Sequence, residues 1–496
     1  MDLFLGIDIG TSAGRGLITD ITGKIIADYR VPHEISMPRP GWAEQDADKV
    51  WWNDFLEIVR VLLQTPGVAA SDIRAVGISA IAPCVLPVDK TGNPLRPGIL
   101  YGIDSRAGAE IRELEERVGV KALFSLSGQN LSAQSCCPKI RWIKNNEPEV
   151  YEKTACFLSA AGYLVYRLTG RFTLDIYNAM AYGPLYDIRR KSWDSTYEKE
   201  VTETSRLPEL IWSTDTAGTV SARAAELTGL PRGTPVICGT ADAMAEAVSV
   251  GLHRDGDMMM MYGSSNFFIL RTDRFLPQEY SWASYFAVPG ENNYVLAGGM
   301  TSAGNLFKWL RETFPGRSFS QWEELSAQSS PGAGGLALLP YFAGERTPVN
   351  NPHAKGALFG LTLRSKAGDV YRAFQEALAY GVRHNIETLR EKGVEARRIF
   401  AIGGISQSRQ LLQIISDVSR CPQLIAREKA GAPYGDAFLA ALGTGFSGGI
   451  SDISRWVRYE HTIEPGDGHR DLYDEGFERY KALYKALEPF MSKSTW

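Results

Sequence analysis

The chain lacks the features that mark several classes of protein. Its 496 residues contain no run of about 18 uninterrupted apolar residues, so the sequence predicts no transmembrane helix. No basic stripe offers a footprint for nucleic acid, because the net charge is −4 and both signs are mixed along the chain. The opening LFLGIDIG is typical of a strand and differs from a secretion signal. We therefore expect no nucleic-acid partner, no membrane partner and a cytoplasmic location.

Cysteine is also scarce. The six cysteines form no CxxC pair and no cluster with histidine, which argues against a structural zinc site. The adjacent Cys136 and Cys137 could form a redox-active pair, but buried and inert thiols are the favoured interpretation. Such sparse cysteine usage is typical of a reducing compartment.

The remaining composition is that of a globular protein, with 44% hydrophobic and 22% charged residues. At about 150 residues per domain, the length predicts two or three domains. Strands are expected at Leu3–Ile9, Gly14–Asp20 and Ile25–Tyr29, followed by a helix and a further strand at Ala75–Ser79. This alternation predicts a mixed sheet with crossover helices, which is an α/β fold.

One unit of sequence occurs twice, at residues 5–20 and 258–273. When the two segments are aligned so that Gly10 matches Gly263, Ser12 matches Ser265 and Leu17 matches Leu270. Each copy consists of an apolar strand, a turn of small and hydroxyl residues, and a second apolar strand. This pattern predicts a hairpin whose turn presents N–H groups and hydroxyls to a phosphate.

Asp8 lies within the first apolar strand of the first copy. A buried carboxylate needs a cation or hydrogen-bond donors, and Mg²⁺ held by one carboxylate, waters and phosphates suits this position. The alternative is a structural acid that accepts N–H groups of the turn. Met261 occupies the equivalent place in the second copy, so two phosphate turns and one metal carboxylate predict one nucleotide bound by two related domains. Arg15 is near enough to the first turn to reach a phosphate, although a surface ion pair is its alternative role.

Asp242 follows the short apolar strand Val236–Gly239 and opens a small-residue helix, 242–250. An acid in the first turn of a helix is often only a cap. Here the small neighbours leave room for a ligand beside the carboxylate. Phosphorylation of an alcohol needs a base at the hydroxyl, and an aspartate can serve.

Three further segments are candidates for ligand contacts. Gly403 and Gly404 separate the expected strand 398–402 from the helix 407–420, which is where α/β folds bind ligands, although an ordinary strand-to-helix turn looks the same. The glycine-rich segment 297–304 fits either nucleotide contact or tight helix packing. Asp104 and Arg106 form either a sugar-binding pair or a local salt bridge.

Several motifs together resemble the FGGY family of carbohydrate kinases, from Gly6 to about Gly445. The first phosphate motif is Gly6-x-Asp8-x-Gly10-Thr11-Ser12, the base motif is Gly239-x-x-Asp242, and the second phosphate motif is Gly263-Ser264-Ser265. Segments 138–148, 344–348 and 356–376 are similar to further family motifs, with departures at Cys136, Phe374 and Gln375.

The resemblance implies a fold, an activity and a set of residue roles. The fold is the two-domain actin/hexokinase-like ATPase fold with duplicated ribonuclease-H-like cores. Residues 1–248 would bind the sugar, Mg²⁺ and phosphates, and residues 249–496 would bind the nucleotide. The activity is transfer of the γ-phosphate of ATP to a hydroxyl of a small sugar, with Asp242 as base and Asp8 at Mg²⁺. The nucleotide contacts would be Thr11, Ser12, Arg15, Ser264, Gly304, Lys308, Gly404 and Ser408. Ala13 departs from a hydroxyl residue that is common in the first turn.

The substrate follows less directly from the resemblance. Xylulose kinases usually carry a Met-His pair after the strand that ends here at Ser79, and glycerol kinases an Arg-Glu pair, whereas this chain has apolar residues at 80–83. The segment from Tyr101 to Arg106 is similar to the Trp-x-Asp-x-Arg segment of pentulose kinases, which assigns Asp104, Arg106 and Asp242 to the sugar. We expect a ketopentose such as xylulose or ribulose. The alternatives are another polyol or a sugar acid, or a non-catalytic nucleotide-binding sensor, and a homodimer is possible.

Overall fold

The computed structural model describes residues 1–277, 281–428 and 430–491. The chain forms two compact units. The first contains Met1–His253, Phe275–Val295 and Glu428–Arg458, and the second contains Arg254–Arg274, Leu296–Arg427 and Tyr459–Trp496. Within the described ranges, no helix combines the length and apolarity needed to span a membrane.

The strands are short except in the two central sheets. In chain order they are β1 Leu3–Ile9, β2 Ala13–Asp20, β3 Ile25–Pro32, β4 Glu44–Gln45, β5 Ile73–Ala80, β6 Leu86–Val88, β7 Gly98–Ile99, β8 Cys156–Leu158, β9 Thr173–Asp175, β10 Tyr186–Asp187, β11 Ser192–Trp193, β12 Glu209–Ile211, β13 Thr216–Thr219, β14 Pro235–Ile237, β15 Thr240–Ala241, β16 Asp257–Tyr262, β17 Asn266–Thr272, β18 Trp282–Tyr285, β19 Tyr294–Gly298, β20 Ala337–Leu339, β21 Ala357–Phe359, β22 Arg398–Ile402, β23 Gln423–Ala426 and β24 Tyr459–Ile463.

The α-helices vary from a single turn to seven turns. In chain order they are α1 Asn53–Leu63, α2 Gly108–Val118, α3 Val120–Ser127, α4 Cys136–Asn146, α5 Pro148–Lys153, α6 Ala160–Thr169, α7 Ile176–Ala179, α8 Ala222–Thr228, α9 Asp242–Ser249, α10 Gly304–Thr313, α11 Phe319–Ala327, α12 Ala367–Glu391, α13 Arg409–Ser419, α14 Ala432–Gly443, α15 Ile453–Trp456 and α16 Arg470–Met491.

The central sheet of the first unit has the strand order β13-β14-β5-β1-β2-β3. Strand β1 is parallel to β5 and antiparallel to β2. Two glycines let helix α14 lie directly on this sheet. A Cβ on Gly6 would lie 1.9 Å from the carbonyl oxygen of Pro433, and one on Gly77 would lie 2.1 Å from that of Asp436. This close approach brings the side chain of Asp436 to the sheet.

The second unit repeats this arrangement with the order β19-β17-β16-β22-β23-β24. Strand β16 corresponds to β1, since it is antiparallel to the next strand, β17, and parallel to the later strand β22. In the first unit, β14 is parallel to β5 and antiparallel to the edge strand β13. In the second unit, β23 is likewise parallel to β22 and antiparallel to the edge strand β24. The predicted α/β fold with duplicated cores is therefore confirmed.

The turn in the second copy of the repeat is nevertheless one residue shorter than the turn in the first copy. Leu5 pairs with Ile18, and its counterpart Met258 pairs with Leu270. Leu270 thus takes the place of Ile18, and the predicted match of Leu270 to Leu17 is wrong. The turn between β16 and β17 closes on the pair Tyr262 and Asn266, whereas the first turn closes on Ile9 and Gly14.

All six cysteines are buried and carry free thiols, as the sequence predicts. Burial raises the pKa of Cys136 to about 12, and it raises the pKa of Cys137 well above its usual value. The Cys137 thiol donates to the carbonyl of Tyr182 at 3.0 Å. The adjacent pair therefore packs as apolar side chains in the first unit.

Candidate active site

The turn between β1 and β2 has the features of an anion site. The Gly10 N–H donates to the Ala13 carbonyl at 3.0 Å, which closes the turn. In the described part of the chain, the amides of Thr11 and Ser12 donate to no protein acceptor, and the Ser12 side chain is exposed. Two adjacent free N–H groups can bind a phosphate oxygen.

The turn between β16 and β17 has the same arrangement in the second unit. The amides of Ser264 and Ser265 have no acceptor within the described ranges, and both residues are exposed. Gly304 lies against this turn, because its N–H donates to the Gly263 carbonyl at 2.9 Å. A Cβ on Gly304 would lie 2.7 Å from that carbonyl oxygen, so only glycine allows the approach. The structure thus brings the predicted residues Ser264 and Gly304 together.

Asp8 lies at the end of β1 beside the first turn and is half-buried. Its pKa is raised well above the usual value, first by burial and then by the negative charges of Asp242 and Glu246. The Ser79 hydroxyl and Arg15 act in the opposite direction. A divalent cation would stabilise the ionised form, and Mg²⁺ commonly uses one or two carboxylates plus waters and phosphate oxygens. Among the described residues no three acidic, His or Cys side chains are grouped as metal ligands. The position of Asp8 beside a turn with free amides fits Mg²⁺ held through one carboxylate with waters and phosphate oxygens.

A buried carboxyl group lies behind Asp8. The Ser79 Oγ is 3.0 Å from Asp8 Oδ1 and 2.7 Å from Asp436 Oδ2, and Ser79 and Asp436 are fully buried. Among the described residues, Oδ1 of Asp436 has no hydrogen-bond partner. Burial, followed by the charge of Asp8, raises the pKa of Asp436 well above its usual value. Asp436 was not predicted from the sequence, because nothing in its helix indicates a partner in β5.

Asp242 is the first residue of α9, directly after β15. Its Oδ1 accepts the Ala243 N–H at 2.7 Å. Burial raises the pKa of Asp242 to about 6, while that hydrogen bond acts to lower it. A carboxylate with a pKa near neutrality is suited to accept a proton from an alcohol.

Glu246 is a second acid at this site, and it was not predicted from the sequence. It lies one helical turn after Asp242, so the two side chains are on the same face of α9. Burial, together with the charge of Asp242, raises the pKa of Glu246 to about 7, while a backbone hydrogen bond from Ala432 and the charge of Arg15 act to lower it. The i,i+4 spacing of two acids in a small-residue helix was the available signal.

Arg15 is a neighbour of the acidic group and also has a partner of its own. Its Nε donates to Asp28 Oδ1 at 3.0 Å, and a second guanidinium nitrogen contacts the other Asp28 oxygen. The negative charges of Glu246 and Asp8 help to raise the pKa of Arg15. The structure therefore places Arg15 beside both acids while it is paired with Asp28.

The other residues predicted to contact nucleotide lie in the second unit. Lys308 is exposed on α10 and is 3.8 Å from Glu312. Gly404 is exposed at the start of a 3₁₀ turn, Gly404–Gln407, and a Cβ there would meet no atom within 4 Å. Ser408 is buried and caps α13 by accepting the Leu411 N–H, and its hydroxyl also contacts Glu323.

Asp104 and Arg106 pair with each other and have no exposed side-chain surface. Asp104 also accepts the Ala43 N–H at 2.7 Å. The Arg106 guanidinium lies 4.0 Å from the Trp42 ring centre and contacts a Glu44 oxygen at 2.7 Å. Within the same segment Tyr101 is only half-buried, and its hydroxyl is 3.4 Å from Thr11 Oγ1. The buried side chains of Asp104 and Arg106 thus stabilise the segment 101–106 through contacts with residues 42–44.

Comparison with known proteins agrees with this arrangement. Residues 3–249 match the N-terminal domain model of the FGGY family of carbohydrate kinases, and residues 258–444 match its C-terminal domain model. The chain belongs to the FGGY family of carbohydrate kinases. It is therefore a sugar kinase, a phosphotransferase with an alcohol acceptor, and kinases of this family use ATP as a substrate.

Relatives of this FGGY kinase match it over nearly the whole chain. A xylulose kinase from Staphylococcus xylosus is 26% identical over 98% of this chain and 100% of its own. A ribulokinase from Anoxybacillus flavithermus is 28% identical over 97% of this chain and 93% of its own. The crystal structure of a xylulose kinase from Rhodospirillum rubrum is 30% identical, covers 99% of this chain and 100% of its own, and has a TM-score of 0.93.

Proposed function

We propose that this FGGY kinase phosphorylates a ketopentose, such as xylulose or ribulose. The observation that carries the proposal is the full-length match to xylulose kinases and a ribulokinase, including 30% identity to a xylulose kinase of the same fold. The similarity of the segment Tyr101–Arg106 to pentulose kinases points in the same direction.

Asp242 is proposed as the general base. Its carboxylate takes the proton of the attacking sugar hydroxyl while the new O–P bond to the γ-phosphorus forms. The bond from that phosphorus to the bridging oxygen breaks, and ADP leaves with the electron pair. A pKa of about 6 keeps Asp242 mostly ionised at pH 7 and close enough to neutrality to hold the proton.

Asp8 is proposed to hold Mg²⁺, which when bound neutralises charge on the phosphate oxygens. The free amides of Thr11 and Ser12 and the Arg15 guanidinium are proposed to bind phosphate in the first unit. In the second unit, the same role is proposed for Ser264. Gly304, Lys308, Gly404 and Ser408 are proposed to contact the rest of the nucleotide. The proposed domains are 1–248 for sugar, Mg²⁺ and phosphate, and 249–496 for nucleotide.

Asp104, Arg106 and Asp242 are proposed to recognise the sugar. Asp104 and Arg106 have no exposed side-chain surface. Their proposed role is therefore indirect: they hold the conformation of the segment that carries Tyr101. A homodimer and a cytoplasmic location stay predictions.

The experiment is a substrate panel with detection of the ADP formed. Xylulose, ribulose, glycerol and gluconate would be compared at saturating Mg·ATP. We expect kcat/KM for one ketopentose to exceed that for glycerol and gluconate by about 10²-fold or more, because unsatisfied polar groups in a sugar site penalise the wrong substrate. A higher value for glycerol or gluconate would replace the ketopentose by a polyol or a sugar acid.

A further inference from the structure

The carbonyl groups of the first phosphate turn are all held from outside the turn. The Gly10 carbonyl accepts the His33 Nε2–H at 3.0 Å. The Thr11 carbonyl accepts an amide N–H of Gln45 at 3.1 Å. The Ser12 carbonyl accepts the backbone N–H of His33 at 3.0 Å. Three successive carbonyls are thus fixed by two residues of the same unit.

Both donor side chains are themselves fixed. His33 Nδ1 lies 2.6 Å from Asp54 Oδ2, and the His33 side chain is only 6% exposed. Because the Gly10 oxygen can only accept, the Nε2 atom of His33 carries the proton of that bond. Gln45 is buried, and its Oε1 accepts the indole N–H of the fully buried Trp51 at 2.8 Å. That bond fixes the orientation of the Gln45 amide, so its NH₂ group faces Thr11.

Fixing these carbonyls also fixes the direction of the amides that bind anions. A trans peptide is planar, so the C=O of one residue and the N–H of the next point in opposite directions. Holding the carbonyls of Gly10 and Thr11 therefore directs the amides of Thr11 and Ser12 away from His33 and Gln45. These are the two amides that have no protein acceptor in the described part of the chain.

The second turn reaches the same arrangement with backbone groups. Its Gly263 carbonyl accepts the Gly304 N–H, and its Ser264 carbonyl accepts the N–H groups of Ala303 and Asn305, each at 3.1 Å. A backbone support cannot be removed by substituting a side chain. In the first turn, by contrast, side chains provide two of the three supports.

We propose that His33 and Gln45 are positioning residues, which hold the Gly10–Ser12 turn with its amides directed at the phosphates of the nucleotide. The inference rests on the proposed function in one respect, namely that this turn binds nucleotide phosphate. Donors that are oriented before the reaction stabilise developing charge without reorganisation. Loss of either support would let the peptide units of the turn rotate. The amide N–H groups of Thr11 and Ser12 would then no longer share one direction.

The test compares Gln45→Met and His33→Phe with Tyr29→Phe. Tyr29 is on the neighbouring strand β3, and its hydroxyl bonds Glu57 at 2.8 Å, so this control loses a hydrogen bond away from the turn. Binding of ADP and of adenosine would be measured by calorimetry without Mg²⁺, and kcat with the best sugar. We expect ADP affinity and kcat each to fall about 10- to 100-fold in the two variants, with adenosine affinity within about twofold of wild type.

Equal ADP affinity and equal kcat in wild type and in both folded variants would overturn the inference. A parallel loss for adenosine would also overturn it, because the damage would then not be confined to phosphate binding. If Gln45→Met does not fold, Trp51→Phe replaces it: this change keeps the Gln45 amide but removes the bond that orients it, and a loss specific to ADP is again expected. If His33→Phe does not fold, His33→Asn replaces it, because asparagine keeps a polar group near Asp54 but has none at the position of Nε2. The adenosine and ADP measurements need no sugar, so a failure of the ketopentose proposal leaves them interpretable.

Discussion

The hydroxyl of Ser79 lies 2.7 Å from Oδ2 of Asp436 in the interior of the first unit. It has a single proton, and Asp8 Oδ1 lies 3.0 Å from the same oxygen. Both contacts are hydrogen bonds only if one of the two carboxyl groups is protonated. Oδ1 of the fully buried Asp436 has no partner in the part of the chain that the structure describes, which favours Asp436 as the neutral group, since an unpaired buried charge is costly.

The first prediction concerns the stability of an Asp436→Asn variant. The pKa of Asp436 is higher in the folded chain than in the unfolded chain, so the folded state retains a proton that the unfolded state loses. The contribution of Asp436 to wild-type stability therefore falls as pH rises above about 4, whereas asparagine does not titrate. We expect the urea midpoint of the variant, relative to wild type, to be higher at pH 8 than at pH 5, measured without Mg²⁺. An identical difference at both pH values would contradict the neutral Asp436.

The second prediction tests the proposed base. Asp242→Asn is expected to lower kcat by about 10²–10⁴-fold, because asparagine cannot accept the hydroxyl proton. ADP affinity should change little, because the substitution leaves the amides of the first turn in place. Glu246→Gln, one helical turn away, is the matched control and should retain much more activity. Turnover of Asp242→Asn within a factor of a few of wild type would exclude Asp242 as the base.

The third prediction is a pH profile. A general base acts when ionised, and the pKa of Asp242 is raised to about 6, so if Asp242 is the base, activity should be lost as pH falls through that value. With both substrates below their KM values, the rate reports groups of the free enzyme, and its acid limb is expected near pH 6. Stopped-time ADP assays from pH 5 to 8 would measure it. A flat profile over that range would show that no group with this pKa is required.

The fourth prediction concerns Mg²⁺. Asp8→Ala is expected to raise the Mg²⁺ concentration needed for half-maximal activity, since the second turn has Met261 in place of a carboxylate. The control is Met261→Ala at that equivalent position, whose Mg²⁺ curve should match that of wild type. Superimposable curves for Asp8→Ala and wild type would remove Asp8 from the metal site.

The fifth prediction concerns the sugar segment. Asp104→Ala is expected to raise KM for the best ketose and to leave KM for ATP nearly unchanged. It also removes one of the two carboxylates paired with the buried Arg106, so Glu44 stays as its partner and stability is expected to fall. Thermal unfolding and both Michaelis constants would be measured in Asp104→Ala and Asp104→Asn. If stability falls while KM for the ketose does not move in either variant, the segment has a purely structural role.

The sequence predicted best what depends on local pattern. Strand β1 was predicted to the residue, because an apolar run bounded by Gly10 shows where it ends. Asp8 and Asp242 were singled out from the residues around them. Asp436 could not be found in this way, because its partner Ser79 is 357 positions away.

Other features were missed for related reasons. The supports at His33 and Gln45 depend on how β3 and the following loop pack against the first turn, which periodicity does not report. The spacing of Asp104 and Arg106 correctly suggested that they are close together. It gave no information on their exposure, which depends on Trp42 and Ala43 from another part of the chain.

The buried thiols have a practical consequence for experiments on this kinase. Thiolates, not thiols, react with maleimides, and burial holds the pKa of every native cysteine above its usual value. A cysteine introduced at an exposed position, such as Lys24 in the turn between β2 and β3, would therefore be labelled selectively. Fluorescent reporters of nucleotide binding can thus be attached to the otherwise native chain, with all six of its own cysteines in place.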